Sequence, residues 1–242
     1  VKIYLKKGAD HEIANHNFYA AYDGFKQMGF ELCYFQDVNE LSDHQKEDIV
    51  VSYVADVRSM LRKYDIAVPE IDYPEELAAY LGRKVWKSKL SVVANNPENW
   101  NVFIKPVEDK KFTGVVVRST KELMGIGTYG EDPEILCSEV VKFAAEWRCF
   151  VRYGQILDVR RYRGDWRLHF DHQIVQNIVA QFKSAPKGYA VDIGLTDKGE
   201  TLLIEVNDGY ALGHYGLFSI DYAKLLSARW AELTNTDDEC NF

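Results

Sequence analysis

The chain has 242 residues, 47% of them apolar and 27% charged, with a net charge of −8. This is an ordinary globular composition, long enough for one α/β unit or two to three small lobes, and its acidic balance argues against a nucleic-acid duplex as the main partner. No apolar run reaches the ~20 residues of a membrane span, no signal-peptide pattern opens the chain, and the four cysteines (Cys33, Cys137, Cys149, Cys240) form no C-x-x-C pair, so a reduced cytoplasmic protein without zinc ribbon, disulfides or membrane contact is expected.

Residues 1–5 alternate like a short strand. Asp10 is placed to cap a helix running to about Met28, with Ile13, Asn17, Ala21 and Phe25 at helical spacing and Gly29 as its stop. Strands follow at 30–35 and 49–54 and a short helix at 56–64, a small parallel-sheet lobe over residues 1–80. Pro69 and Pro74 mark a break, and EELAAYLG reads as a helix ending at Gly82. Residues 81–141 then change to strands with short turns: VFIKPV, GVVVRS and EILCSEVV. A third segment, 142–242, holds the strands EWRCFVRY and QILDVRRYR hinged at Gly154, a helix over 171–184, and a hairpin of YAVDIGL with TLLIEVN. A helix over 221–233 and a loose polar tail close it. The fold class is therefore α/β of the α+β kind.

The last hairpin carries the chemistry. A two-residue turn centred on Lys198-Gly199 sets Asp192 directly opposite Glu205, with Asn207 two residues further along the same face. Two facing carboxylates at ~5 Å repel by about 3 kcal/mol at an effective dielectric of 20. A hard divalent cation such as Mg²⁺, or Mn²⁺ in its place, converts that repulsion into attraction. A solvated sheet face or a shared proton is the other reading of the same three oxygens.

Lys105 ends an apolar strand beside the turn EDKKFTG, where it, the turn amides and Thr113 suit phosphate oxygens. A surface lysine is the plain alternative. Downstream, the strand ending S-E-V-V offers backbone groups at Glu139–Val141 to an adenine edge, and Glu146 suits ribose hydroxyls; either glutamate is also read as a salt bridge or a solvated strand end.

The order K-P strand, S-E-V-V strand, E-x-R-x-F-V, Arg-rich strand, then D-x12-E-x-N resembles the ATP-grasp superfamily, and its small ribosomal-protein-glutamylase-like and phage-type members in particular. The likeness spans about Leu81 to Gly213, the first lobe resembling the α/β domain that precedes the grasp. It implies an ATP-grasp fold with a lid subdomain over 81–141 and a C-terminal subdomain over 142–242. It further implies that Lys105 contacts nucleotide phosphates, Glu139 and the Val141 backbone hold adenine, Glu146 holds ribose, and Asp192, Glu205 and Asn207 bind Mg²⁺. A second basic residue normally joins the lysine; Arg83 is the first choice, with Lys84, Lys87 and Lys89 as rivals. Two departures stand out: EDKKFTG is shorter and poorer in glycine than the usual lid loop, and the chain is short for the superfamily.

Such enzymes phosphorylate a carboxylate with ATP and let an amine displace the phosphate, a chemistry governed by charge neutralisation on phosphoryl oxygens. Arg148, Arg161 and Arg163 are the candidates for holding the acyl-phosphate; Arg161 and Arg163 share a strand face by period two, with Arg160 opposite. The substrates implied are a small-molecule or peptide carboxylate and an amine. A nucleotide-binding regulatory module without ligation, and a small-molecule kinase, are the competing readings. HEIANH lacks the four-residue spacing of a zinc-protease helix, HFDH reads as a helix cap, and GIGTYG lacks the ending of a phosphate loop.

Overall fold

The computed structural model describes residues 1–10, 12–107, 112–126 and 130–242. Its first elements are β1 (Lys2–Lys6), α1 (His16–Gln27), β2 (Glu31–Phe35), β3 (Ile49–Val51) and α2 (Val54–Lys63). There follow β4 (Val85–Lys89), α3 (Leu90–Ala94), β5 (Val102–Pro106), β6 (Val115–Val117), α4 (Thr120–Met124) and β7 (Glu134–Glu139). The last are β8 (Phe143–Arg152), β9 (Gln155–Gly164), α5 (His172–Gln181), β10 (Gly188–Thr196), β11 (Thr201–Asp208) and α6 (Ser219–Thr234). No helix among the described residues is long and apolar enough to cross a membrane. The chain divides into two compact units, Leu81–Lys142 and the joined segments Val1–Tyr80 and Phe143–Phe242.

The larger unit holds a parallel sheet in the order β2-β1-β3 and an antiparallel sheet in the order β11-β10-β8-β9. One core joins Ile3, Leu5, Phe25 and Val51 of the first lobe to Phe150 and Ala190 of the second sheet and to Leu225, Leu226 and Trp230 of α6. The helices α1 and α6 meet at Gly24, where a Cβ would lie 2.1 Å from the Ser219 carbonyl oxygen, so only glycine permits that approach. The edge of β11 is covered in part by the preceding chain, Val206 N–H donating to the Asp72 carbonyl at 2.9 Å. The hairpin of β8 and β9 turns through Tyr153 (φ 50°) and Gly154 (φ 73°), the left-handed pair of a two-residue turn.

The smaller unit is an antiparallel sheet in the order β4-β7-β5-β6. One face packs Val102, Ile104, Ile135 and Cys137 against Leu90 and Val93 of α3.

Three local expectations fail for identifiable reasons. Asn15, not Asp10, caps α1, its Oδ1 accepting from Phe18 N–H, while Asp10 accepts from Glu12 N–H in the preceding loop. EELAAY forms a 3₁₀ turn, Glu75–Tyr80, rather than a helix to Gly82. The tail is tied down: Asp238 accepts from Arg152 and Tyr153 at 2.8 Å and from Ser227 at 2.5 Å, and Cys240 is fully buried. A short polar run hides such partners because they come from β8 and α6.

His44 adds a pH-sensitive element to this unit. Tyr64 donates its single hydroxyl proton to the His44 carbonyl at 2.7 Å, so Nδ1 of His44 donates to the Tyr64 oxygen at 2.8 Å. That tautomer leaves Nε2 buried without a partner among the described residues, with Tyr4 and Trp230 rings alongside. Burial lowers the imidazole pKa, Lys63 adding to the fall and Asp48 and Glu47 opposing it. A base with a lowered folded-state pKa favours folding above its unfolded value of about 6.5, and that contribution is lost as the pH falls toward the folded value. Denaturant titrations between pH 7 and 5 therefore show a stability loss that His44→Phe reduces; an unchanged pH slope in the variant would contradict the assignment.

Candidate functional site

The pairing of β10 with β11 comes out as the sequence implies, but by two compensating departures. The loop is three residues, Asp197–Gly199, closed by Thr196 N–H to the Glu200 carbonyl at 2.9 Å, with Gly199 at φ 83°. This longer loop pairs Leu195 with Thr201 and Ile193 with Leu203, one residue away from the expected register. A β-bulge at Ile204 then restores it, so that Asp192 faces Glu205 and Ala190 faces Asn207. Without the bulge the slip would send Glu205 to the other face of the sheet.

The row continues onto β8, where Arg148 stands opposite Asp192. Arg148 and Asp192 are 6% and 3% exposed and form a bidentate pair, Nε to Oδ1 and Nη2 to Oδ2, both at 2.7 Å. Burial pushes the Asp192 carboxyl upward, Glu205 adds to the rise, and Arg148 and Asn207 oppose it. Burial also works against the charge on Arg148, but the hydrogen bonds and charge of Asp192 outweigh it and raise the guanidinium pKa. The Asn207 Nδ2 atom is buried beside this carboxylate and is turned toward it.

These residues fit a hard cation. Among the described residues no three His, Cys, Asp or Glu side chains gather to hold a metal. The three oxygen-bearing side chains, only two of them carboxylates, instead match the partial shell with which proteins hold Mg²⁺ alongside substrate phosphates. The Arg148 guanidinium already stands on Asp192 as an internal cation.

Around this row, Glu146 is buried and accepts from Arg163 Nη1 at 2.5 Å and from the Tyr162 hydroxyl. Burial, with Asp192 and Glu146 adding to it, holds the Tyr162 phenol far above its ordinary range. Tyr162 is the extra residue of a bulge in β9. The bulge breaks the simple alternation expected there: Arg160 lies opposite Arg148, Arg161 opposite Trp147 and Arg163 opposite Glu146. Directly opposed residues share a face, so Arg163 keeps company with Glu146 while Arg161 goes with Trp147. Tyr215 stacks on Tyr162 with centroids 4.9 Å apart, and the Arg148 guanidinium lies 4.7 Å from its ring centroid.

In the smaller unit, Lys87 of β4 pairs with Leu136 of β7, which pairs with Lys105 of β5. The two lysines thus share one face, two strands apart or roughly 10 Å. Gly114 passes closely over this face, where a Cβ would lie 2.6 Å from the Phe103 ring and 3.4 Å from Lys105 Cβ. Thr113 beside it is exposed, and residues 108–111 of the EDKKFTG turn lie outside the described residues. Arg83 precedes β4 and donates to the Leu81 carbonyl at 2.9 Å. Glu139 accepts from the Lys84 backbone N–H at 2.9 Å. Val141 follows β7 in irregular chain, and its backbone makes no hydrogen bond among the described residues.

Sequence reasoning held Lys87 only as a rival to Arg83 and did not place it on the face of Lys105, and it left Tyr215 out of the site. The first became visible only when β4 paired with β7; the second stands in a polar–aromatic loop, DGYALGHYGL, that suits acceptor recognition and packing equally. Of the motifs set aside, Asp171 of HFDH does cap α5. His11 of HEIANH and residues 127–129 of GIGTYG lie outside the described residues.

The family model of the ATP-grasp domain, R2K clade family 2, matches residues 80–225. Comparison with curated proteins found no match. Among solved structures the chain is similar to the D-alanine–D-alanine ligase of Bacillus anthracis complexed with ATP, with 14% identity, a TM-score of 0.61, and 97% and 96% of the two chains covered. It is also similar to N5-carboxyaminoimidazole synthetase of Staphylococcus aureus, with 11% identity, a TM-score of 0.58, and 98% and 77% covered. The ATP-grasp ligase PsnB complexed with minimal precursor shares 14% identity at a TM-score of 0.51, with 98% and 95% covered. At these identities the likeness is one of fold.

Proposed function

The chain belongs to the ATP-grasp domain family, R2K clade family 2, and from that premise we propose that it is an ATP- and Mg²⁺-dependent, ADP-forming ligase that joins a carboxylate to an amine. The observation that carries this reading is the row Arg148–Asp192–Glu205 with Asn207 beside it, a pre-built charge cluster on one sheet face. Ligases of the same fold, one complexed with ATP and one with a minimal precursor, support it.

In this reading Asp192, Glu205 and the Asn207 amide oxygen hold Mg²⁺, which neutralises charge on the phosphoryl oxygens when bound. Lys105 contacts the nucleotide phosphates, with Lys87 as its basic companion in preference to Arg83, whose guanidinium serves the Leu81 carbonyl. Thr113 adds a hydroxyl to the phosphate contacts. Glu139 and the Val141 backbone take the adenine edge, and Glu146 the ribose hydroxyls. Arg148 and Arg163 are the guanidiniums for the developing acyl-phosphate, their planar forks suiting phosphate oxygens; Arg161, opposite Trp147, takes no part.

Incubation with ATP, Mg²⁺ and a panel of carboxylates, peptides among them, with amines tests this directly. The expected result is ADP and phosphate release that requires both acceptors. Saturable nucleotide binding without turnover across the panel would favour a nucleotide-binding module instead, and a stable phosphorylated product without an amide would favour a kinase.

A further inference from the structure

Tyr215 adopts a left-handed backbone, φ 41°, followed by Gly216 at φ 86°. A bulky residue holds that conformation only where its surroundings over-determine it, and such strain gathers at functional sites. The surroundings here are specific. The ring, although the residue is 47% exposed, is clasped on the Arg148 guanidinium at 4.7 Å and on the Tyr162 ring at 4.9 Å and 22°. The loop carrying it is tied on both sides: the Gly213 carbonyl accepts from Arg148 Nη1 at 3.4 Å, and His214 N–H donates to Asn17 Oδ1 at 3.1 Å. Core packing does not explain the placement, since the neighbouring Tyr210 and Leu212 are buried in the core and Tyr215 is not.

We propose that Tyr215 is a positioning residue: its ring, stacked between Arg148 and Tyr162, holds the Arg148 guanidinium on Asp192, so that Asp192 becomes available to a cation only as Arg148 lets go. The inference rests on the cation reading of Asp192, Glu205 and Asn207. It ties two events together, because the movement that frees the carboxylate also frees a guanidinium for phosphate oxygens. A face-on aromatic favours Arg148 where it now lies. Removing the ring therefore weakens Arg148 as a competitor for Asp192.

The test is Mn²⁺ binding followed by electron paramagnetic resonance, with a saturating non-hydrolysable ATP analogue, in wild type, Tyr215→Phe and Tyr215→Leu. Leucine keeps bulk but removes the aromatic face; it is expected to tighten Mn²⁺ binding about fivefold, while phenylalanine stays within about twofold of wild type. Tyr162→Leu, which removes the ring's other support, shifts in the same direction and serves if Tyr215→Leu fails to fold. Structural damage weakens cation binding, so tightening separates positioning from misfolding. Equal affinities in the folded variants, or weaker binding in the leucine variants, would overturn the inference and leave the cation site standing. A wild type that takes up no Mn²⁺ would overturn the cation reading and this inference with it.

Discussion

Glu205→Ala abolishes acceptor-dependent ADP formation while leaving the protein folded. Glu205 faces Asp192 across the hairpin, and in the proposed reading it is one of the two carboxylates that hold the cation. Losing a cation that neutralises phosphoryl charge removes several kcal/mol of transition-state stabilisation, about a thousandfold or more in turnover. Stability moves the other way. Glu205 is one of the influences that push the Asp192 carboxyl upward, so its removal relieves repulsion within the sheet. Unfolding midpoints equal to or above wild type, with turnover lost, are the combined signature. Turnover retained in a folded Glu205→Ala protein would remove the metal assignment.

Arg148→Ala has the largest expected effect on stability. Its partner Asp192 would remain buried, with both oxygens stripped of their bidentate donor. Breaking a buried pair by deleting one side costs about 3–5 kcal/mol. For a chain of this size that lowers the melting temperature by roughly 6–20 °C. Because the deserted carboxylate then lies beside Glu205 without a counter-charge, millimolar Mg²⁺ is expected to restore part of the loss, and to do so more for the variant than for wild type. Calorimetric scans with and without Mg²⁺ read both effects. A melting temperature unchanged by the substitution would show that the pair does not carry the stability assigned to it.

The order of strands from Lys105 to Asn207 was legible because each carries apolar residues and is bounded by turn residues, whereas the short helix α4 between them was not expected. The hairpin pairing was legible too, though for an incomplete reason. A three-residue loop and a bulge at Ile204 cancel, and neither leaves a mark in TDKGE or LLIEVN. β4 was not singled out because Lys87 and Lys89 alternate with Trp86 and Ser88, so that WKSK lacks the apolar run of a strand until β7 supplies the pairing. The same pairing is what sets Lys87 beside Lys105. Arg148 was recognised as a candidate without its partner, since 44 residues separate it from Asp192 in the chain. Tail residues such as Asp238 and Cys240 read as loose because their stabilising contacts come from Arg152, Tyr153 and Ser227. In each case the missing information was tertiary: register, a bulge, or a distant partner.

The central claim is that Asp192, Glu205 and Asn207 receive a cation together with a nucleotide. Isothermal titration of a non-hydrolysable ATP analogue into the wild-type protein, in Mg²⁺ and again in chelator, tests it most directly. Saturable heat that appears in Mg²⁺ and collapses in chelator is the predicted result. Heat that is absent in both, or identical in both, would contradict it.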